Sequence, residues 1–128
     1  MTKHEDMAAL RARTDVHFNC AQSVIVPFAA ELGLTRQQAY DLTLNFGGGM
    51  GEGLTCGALV GALAVMGGLG LPQARRLELI DRFRDAHGAV DCAPLVESIL
   101  ARGEVKKAGC DKIVAWCVDW LCRETGIE

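Results

Sequence analysis

Along this chain apolar residues recur every three or four positions, the spacing of amphipathic helices, and nowhere in the two-residue alternation of a half-buried strand. The segment from about Glu5 to Thr14 turns Met7 and Leu10 to one side. Asn19, with Gln22 three residues on, makes a capping-box pattern that opens a helix through Val24, Ile25, Phe28 and Leu32 to Gly33. Pro27 should kink it, since its ring cannot donate to the Ser23 carbonyl. Thr35 and Gln38 repeat the capping pattern ahead of Ala39, Leu42 and Phe46. A flexible loop, Gly47 to Gly53, then leads into a central helix from about Leu54 to Met66, stopped by Gly67, Gly68, Gly70 and Pro72. Pro72 suits the first turn of the next helix, where Leu77, Ile80 and Phe83 face the core and which Gly88 closes. Asp91 caps a short helix carrying Leu95, Val96, Ile99 and Leu100, ending near Gly103. GEVKKAG, residues 103–109, reads as a linker. The last helix, about Asp111 to Arg123, presents Ile113, Val114, Cys117 and Leu121 as one stripe with Trp116 and Trp120 beside it.

The pattern breaks down in one informative place. From Leu54 to Leu71 there is no formal charge, and five of these eighteen residues are glycine. The uninterrupted helical part is about thirteen residues, roughly 20 Å against a hydrocarbon core of about 30 Å, so a buried helix is expected rather than a membrane span. Gly57 and Gly61 fall on one face of it, with Ala58, Ala62 and Ala64 nearby, which lets neighbouring backbones approach closely.

Composition agrees with this picture. Half of the residues are apolar, mean hydropathy is +0.18 and only 5% are aromatic, so the core must be made of Ala, Leu, Val and Gly in closely packed helices. At 128 residues the chain fits one domain, residues 1–128. The expected fold is all-α: a compact bundle of about six or seven helices around the Gly/Ala-rich central one. A net charge of −3, with Arg75-Arg76 and Lys106-Lys107 as isolated pairs, argues against nucleic acid as a partner. The charged start MTKHEDMAALRART lacks the apolar run of a signal peptide, and a cytoplasmic location is expected.

Six cysteines are many for this length, and in a reducing cytosol they point to metal binding or redox chemistry rather than a disulfide framework. What precedes them is more telling than their spacing. Asn19-Cys20, Thr55-Cys56 and Asp91-Cys92 each place Cys after a preferred N-cap residue, and Cys110 lies beside Gly109 and Asp111 at the expected start of the last helix. A helix N-terminus stabilises a thiolate and lowers its pKa. Four such starts converging would make a pocket of four thiolates suited to an iron-sulfur cluster or a tetrahedral zinc. The competing reading is that small, easily buried Cys fills gaps where Gly-rich helices cross.

Other features narrow the choice. No C-x-x-C occurs, which weakens the thioredoxin-like and zinc-ribbon readings. Cys117, two turns beyond Cys110, reads as core, and Cys122 as incidental. His87 sits on the apolar face of its helix before Gly88, where it serves the helix C-terminus; His4 and His17 have no supporting context. The glycines of the loop match neither phosphate-binding pattern and follow no strand, so nucleotide binding is not expected. Gly48, Gly49, Gly51 and Gly57 could instead bring N–H groups close to sulfur, which raises a cluster's reduction potential.

With NCAQ, GGGMGEGLTCGALVGA, HGAVDC and GCDKIV in this order, the chain resembles the family of redox-active proteins named for the pattern C-GCAxxG-C-C. The resemblance runs from Asn19 to about Leu121, with one departure: Gly57 intervenes between Cys56 and Ala58. It implies a cytoplasmic helical domain whose Cys20, Cys56, Cys92 and Cys110 carry redox function. The chain is also similar to the non-haem domain of split-Soret cytochromes, where such cysteines are associated with an iron-sulfur cluster. It has no C-x-x-C-H, so covalently attached c-type haem is not expected.

The combined expectation is an electron carrier or redox partner rather than a stand-alone enzyme, with the four cysteines binding an iron-sulfur cluster of the 2Fe-2S type. Thiol-disulfide chemistry on the same cysteines, and a structural zinc or assembly module, are the alternatives. The expected partners are a redox protein and, through the tryptophan face, a second copy of the chain.

Overall fold

Three short polar patterns start three helices. Gln22 N–H donates to Asn19 Oδ1 at 2.8 Å and Asn19 N–H to Gln22 Oε1 at 2.8 Å; Thr35 and Gln38 make the same reciprocal pair. Thr2 and Glu5 make a third capping box, and it moves the first helix to an earlier start than its apolar residues suggest. Each cap is worth about 1 kcal/mol. The computed structural model describes residues 1–128 and contains seven α-helices: α1 Lys3–Ala12, α2 Cys20–Ile25, α3 Arg36–Leu42, α4 Gly57–Gly68, α5 Arg75–His87, α6 Cys92–Ala101 and α7 Lys106–Thr125. There is no strand, only an isolated antiparallel bridge between Thr55 and Asp91. The all-α expectation holds, and no helix is long and apolar enough to cross a membrane.

Several boundaries differ from the pattern, each for a local reason. Pro27 does not kink a continuing helix; α2 ends at Ile25 and passes into a 3-10 turn, Val26–Phe28. Past Leu42, Thr43 turns its hydroxyl back to the Ala39 carbonyl at 2.9 Å, and a 3-10 turn covers Leu44–Phe46, which leaves Leu42 exposed. Pro72 opens a turn rather than a helix, so α5 begins at Arg75 and buries Leu79 and Phe83. Leu77, two residues and about 200° from Leu79, points outward and is 58% exposed. Leu100 is likewise exposed. The expected linker 103–109 is mostly helix: Val105 precedes the first turn of α7, and Gly109 is a contact rather than a break, since a Cβ there would meet Ile99 Cγ2 at 2.5 Å.

The expected flexible loop before α4 is an ordered left-handed turn. Gly48, Gly49, Met50 and Gly51 all have φ between 59° and 70°, and Leu54 N–H closes the turn on the Gly49 carbonyl at 3.2 Å. Glycine adopts this conformation freely, whereas Met50 does so at a cost of about 1–2 kcal/mol. α4 then begins at Gly57 with Cys56, not Thr55, as its N-cap.

α4 packs on α2 above all and also on α5 and α7, but the helix with the most neighbours is α2, which touches α1, α3, α4 and α7; α7 runs across α1, α2, α4 and α6. A Cβ on Gly61 would stand 2.9 Å from the Ala21 carbonyl oxygen and 3.2 Å from Val24 Cβ; one on Gly57 would stand 2.8 Å from the Phe46 carbonyl oxygen and 3.5 Å from Cys20 Cβ. The two glycines thus hold α2 at backbone distance. The inward stripe of α7, Ile113, Val114, Cys117 and Leu121, is buried as expected, and so is Trp120.

The crossing separates two kinds of glycine in one helix. Gly61→Ala should destabilise the protein by about 1–3 kcal/mol, because backbone would have to move. Gly67→Ala, with nothing within 4 Å of the added Cβ, should stabilise it by up to about 1 kcal/mol. Urea unfolding of both variants followed by circular dichroism checks the opposite signs.

Candidate redox centre

The four candidate cysteines come from four helices. Cys20 is the first residue of α2 behind its Asn19 cap, Cys56 is the N-cap of α4, and Cys92 is the first residue of α6 behind Asp91. Cys110 departs from the expectation: it lies in the second turn of α7, because the helix starts at Lys106. Asp91 occupies the N-cap position without a side-chain capping bond.

Backbone contacts set two of the cysteines side by side. In the Thr55–Asp91 bridge, Cys56 N–H donates to the Val90 carbonyl at 2.8 Å and Cys92 N–H to the Leu54 carbonyl at 2.6 Å, which pins the start of α4 beside the start of α6. Cys20 of α2 and Cys110 of α7 line one cavity together with Cys92, and Cys20 and Cys110 shift each other's titration in opposite directions. All six cysteines are free thiols. No three His, Cys, Asp or Glu side chains are drawn around one point as a preformed metal site.

The glycines of the loop play different parts. Asn19 Nδ2 donates to the Leu44 carbonyl at 3.1 Å, and Gly47 lies so close to Asn19 that a Cβ would meet it at 2.6 Å, which sets the loop against the cap of α2. Gly48 lines the same cavity as Cys20, Cys92 and Cys110. Gly49 is pressed on the Leu54 backbone, Gly57 is buried on α2, and Gly51 faces open space away from the cavity. His87 is elsewhere, in a T-shaped cluster with Phe83 and Trp116 at ring distances of 4.5 and 5.1 Å. Its Nε2 is buried without a partner. Cys117 is fully buried in the core behind Cys56, and Cys122 is half-buried near the C-terminus.

Charge near the sulfurs comes from residues that sequence reasoning passed over. Arg11 reaches in from α1, donating from Nε to Asp111 Oδ1 at 2.6 Å and from Nη1 to the Phe18 carbonyl at 2.9 Å. Lys106 and Lys107 stand at the start of α7. The only linear signal was that Arg11 lies four residues after Met7, on the inward face of α1.

These surroundings reverse the simple helix-start argument. Burial pushes the Cys56 and Cys92 thiols up, and at Cys56 the N–H groups of Ala58 and Leu59 oppose it without prevailing. The hydrogen bond toward Cys110, followed by burial, pushes Cys20 up as well. Cys110 moves the other way, to about 6: the Cys20 S–H stabilises its thiolate first, and Arg11 and Lys106 add to that against the effect of burial. The cysteine inside its helix is therefore the acidic one, and its partners remain thiols.

A pH profile follows. With its value below the ordinary thiol range, Cys110 gains a thiolate as pH rises through 6 and is about nine-tenths ionised at pH 7. In reduced, metal-free protein, iodoacetamide should label Cys110 before the other five at pH 7, with a midpoint near 6 that moves up toward the ordinary range in Cys20→Ala. Peptide-resolved mass spectrometry checks this; equal labelling of all accessible cysteines at pH 7 would contradict it.

Comparison with known protein families matches residues 18–123 to the family described as "Putative redox-active protein (C_GCAxxG_C_C)". No curated protein and no solved structure matches the chain. The match spans well over half of the sequence and includes Cys20, Cys56, Cys92 and Cys110 together with the left-handed glycine turn. The chain belongs to the C-GCAxxG-C-C family of redox-active proteins.

Proposed function

We propose that this protein is a cytoplasmic one-electron carrier in which Cys20, Cys56, Cys92 and Cys110 hold a 2Fe-2S cluster. The observation that carries the reading is that four helices bring these cysteines to one place: Cys20, Cys92 and Cys110 line one cavity, and the start of α4 at Cys56 is pinned beside the start of α6 at Cys92. The donor set fits the group, because clusters of this type take four thiolates, two on each iron. A tetrahedral zinc on the same four thiolates is the competing metal, and metal analysis separates the two. When bound, such a cluster supplies one-electron transfer at a potential set by burial, charge and hydrogen bonds to sulfur.

The chain's own residues have definable parts in this reading. Cys20, Cys92 and Cys110 line a cavity open to the outside, whereas Cys56 is 6% exposed and sealed beneath α4. Arg11 and Lys106 place positive charge beside the sulfurs and offset part of the negative charge that four thiolates bring. The apolar body of α4 and the core residues of α7 exclude water behind them.

A second reading has its own support. A thiol held against a thiolate is the ground state of a reversible disulfide, and the Cys20–Cys110 pair has that form. In it the two sulfurs join as the one proton left on Cys20 departs and two electrons pass to an external two-electron acceptor such as a partner disulfide.

One set of measurements separates these readings. Anaerobically purified protein should absorb in the visible range and contain about two irons and two acid-labile sulfides per chain. Serine at any of the four cysteines should abolish the absorption, and Cys122→Ser should retain it. Colourless protein without iron or zinc, losing two titratable thiols on oxidation, would replace the cluster with the disulfide; stoichiometric zinc would overturn both.

A further inference from the structure

Cys20, Cys92 and Cys110 line a cavity of about 340 Å³ whose lining includes Arg11, Arg13, Lys106 and Lys107 but no Asp or Glu. In a chain of net charge −3 this is a concentration of positive charge against the average. Folding creates it, because Arg11 and Arg13 come from α1 and the turn after it, and the lysines from α7 almost a hundred residues later. Arg11 and Lys107 lean on Asp111 and Arg13 on Asp15, but Lys106 has no carboxylate partner. The wall is apolar: Leu10 and Phe18 line the cavity, and the Arg13 guanidinium lies over the Phe18 ring at 5.6 Å.

More cations are present than the sulfurs use. Arg11 acts on Cys20 and Cys110 while paired with Asp111, whereas Arg13, Lys106 and Lys107 sit at the rim, exposed: Lys106 has no carboxylate to displace, and those of Arg13 and Lys107 are surface ones that a competing anion can displace at little cost. The volume lies in the range of small-molecule pockets, which are apolar with a few placed polar groups. A concave site of this kind, with an aromatic wall and a basic rim, selects an organic anion.

We infer that the cavity binds a small organic anion, its apolar body against Phe18 and Leu10 and its carboxylate or sulfonate end between Lys106 and Arg13, so that it lies next to Cys92 and Cys110. This rests on the redox reading only for its purpose, as the class of molecule that the centre meets first; the binding itself requires no cluster and no disulfide.

The probe is 2-naphthalenesulfonate, titrated calorimetrically into the full-length protein as purified anaerobically, at low ionic strength. Saturable one-to-one binding is expected, weakened about tenfold by Lys106→Gln and by Arg13→Gln, the worth of one charge-assisted contact. Lys112→Gln, outside the cavity, should leave the affinity unchanged, and a naphthyl trimethylammonium ion should not bind. Absence of sulfonate binding, equal binding of the cation, or equal loss in all three variants would overturn the inference. Iron, sulfide and thiol content measured on the same samples keep the two readings apart: binding without a cluster counts against the cluster alone.

Discussion

Everything at the centre depends on two helices being allowed to touch at the backbone. Side chains ordinarily hold helix axes 8–10 Å apart. Where α4 crosses α2, Gly57 and Gly61 remove them on one side and Ala21 nearly removes them on the other. Cys20 and Cys56 can then belong to the same small volume even though each starts its own helix. Helical glycine is unfavourable by up to about 1 kcal/mol per residue, so α4 is weakened as an isolated helix in order to be close-packed as a tertiary one. The compensation is burial: Ala58, Leu59, Ala62 and Val65 are all at most 1% exposed.

A second constraint acts beside the first. The single bridge between Thr55 and Asp91 is too short to count as a sheet, yet it fixes the two residues immediately before Cys56 and Cys92. The left-handed turn delivers the chain into that bridge. With Gly49 pressed on Leu54, an L-residue at that position would collide with the backbone whose carbonyl receives the Cys92 N–H. Turn, bridge and crossing thus form one device with three parts.

The local parts of this device were legible in the sequence, and the non-local parts were not. Asn19 with Gln22, Thr35 with Gln38, the stripe of α7 and the Gly57–Gly61 face all follow from spacing, because each depends on residues within two turns of each other. The register of α5 and the start of α7 did not follow. Pro72 fits a turn as well as a helix start, and Gly109 reads as a break until Ile99 is known to lie against it. The same limit applies to charge. Lys106-Lys107 and Arg11 look isolated in sequence, and only the packing of α1 on α7 puts them around one pocket. The cysteines were found through their caps, but the net shift runs opposite to the caps at three of the four: burial outweighs the first-turn N–H groups at Cys56 and leads at Cys92, and the hydrogen bond with Cys110 leads at Cys20.

That reversal bears on how the fold is maintained. Four ionised sulfurs would place four negative charges in one partly buried volume, with only Arg11 and Lys106 acting on Cys110 from close by. Such an arrangement would oppose folding, as buried like charges do. With Cys20, Cys56 and Cys92 held as thiols, the same residues pack as small apolar side chains, and Cys110 alone carries charge. The core therefore closes around neutral sulfurs, and in the proposed centre a thiolate-binding cation or oxidation would remove their protons. Burial that disfavours the thiolate is what makes a four-cysteine centre compatible with a core built from alanine and glycine.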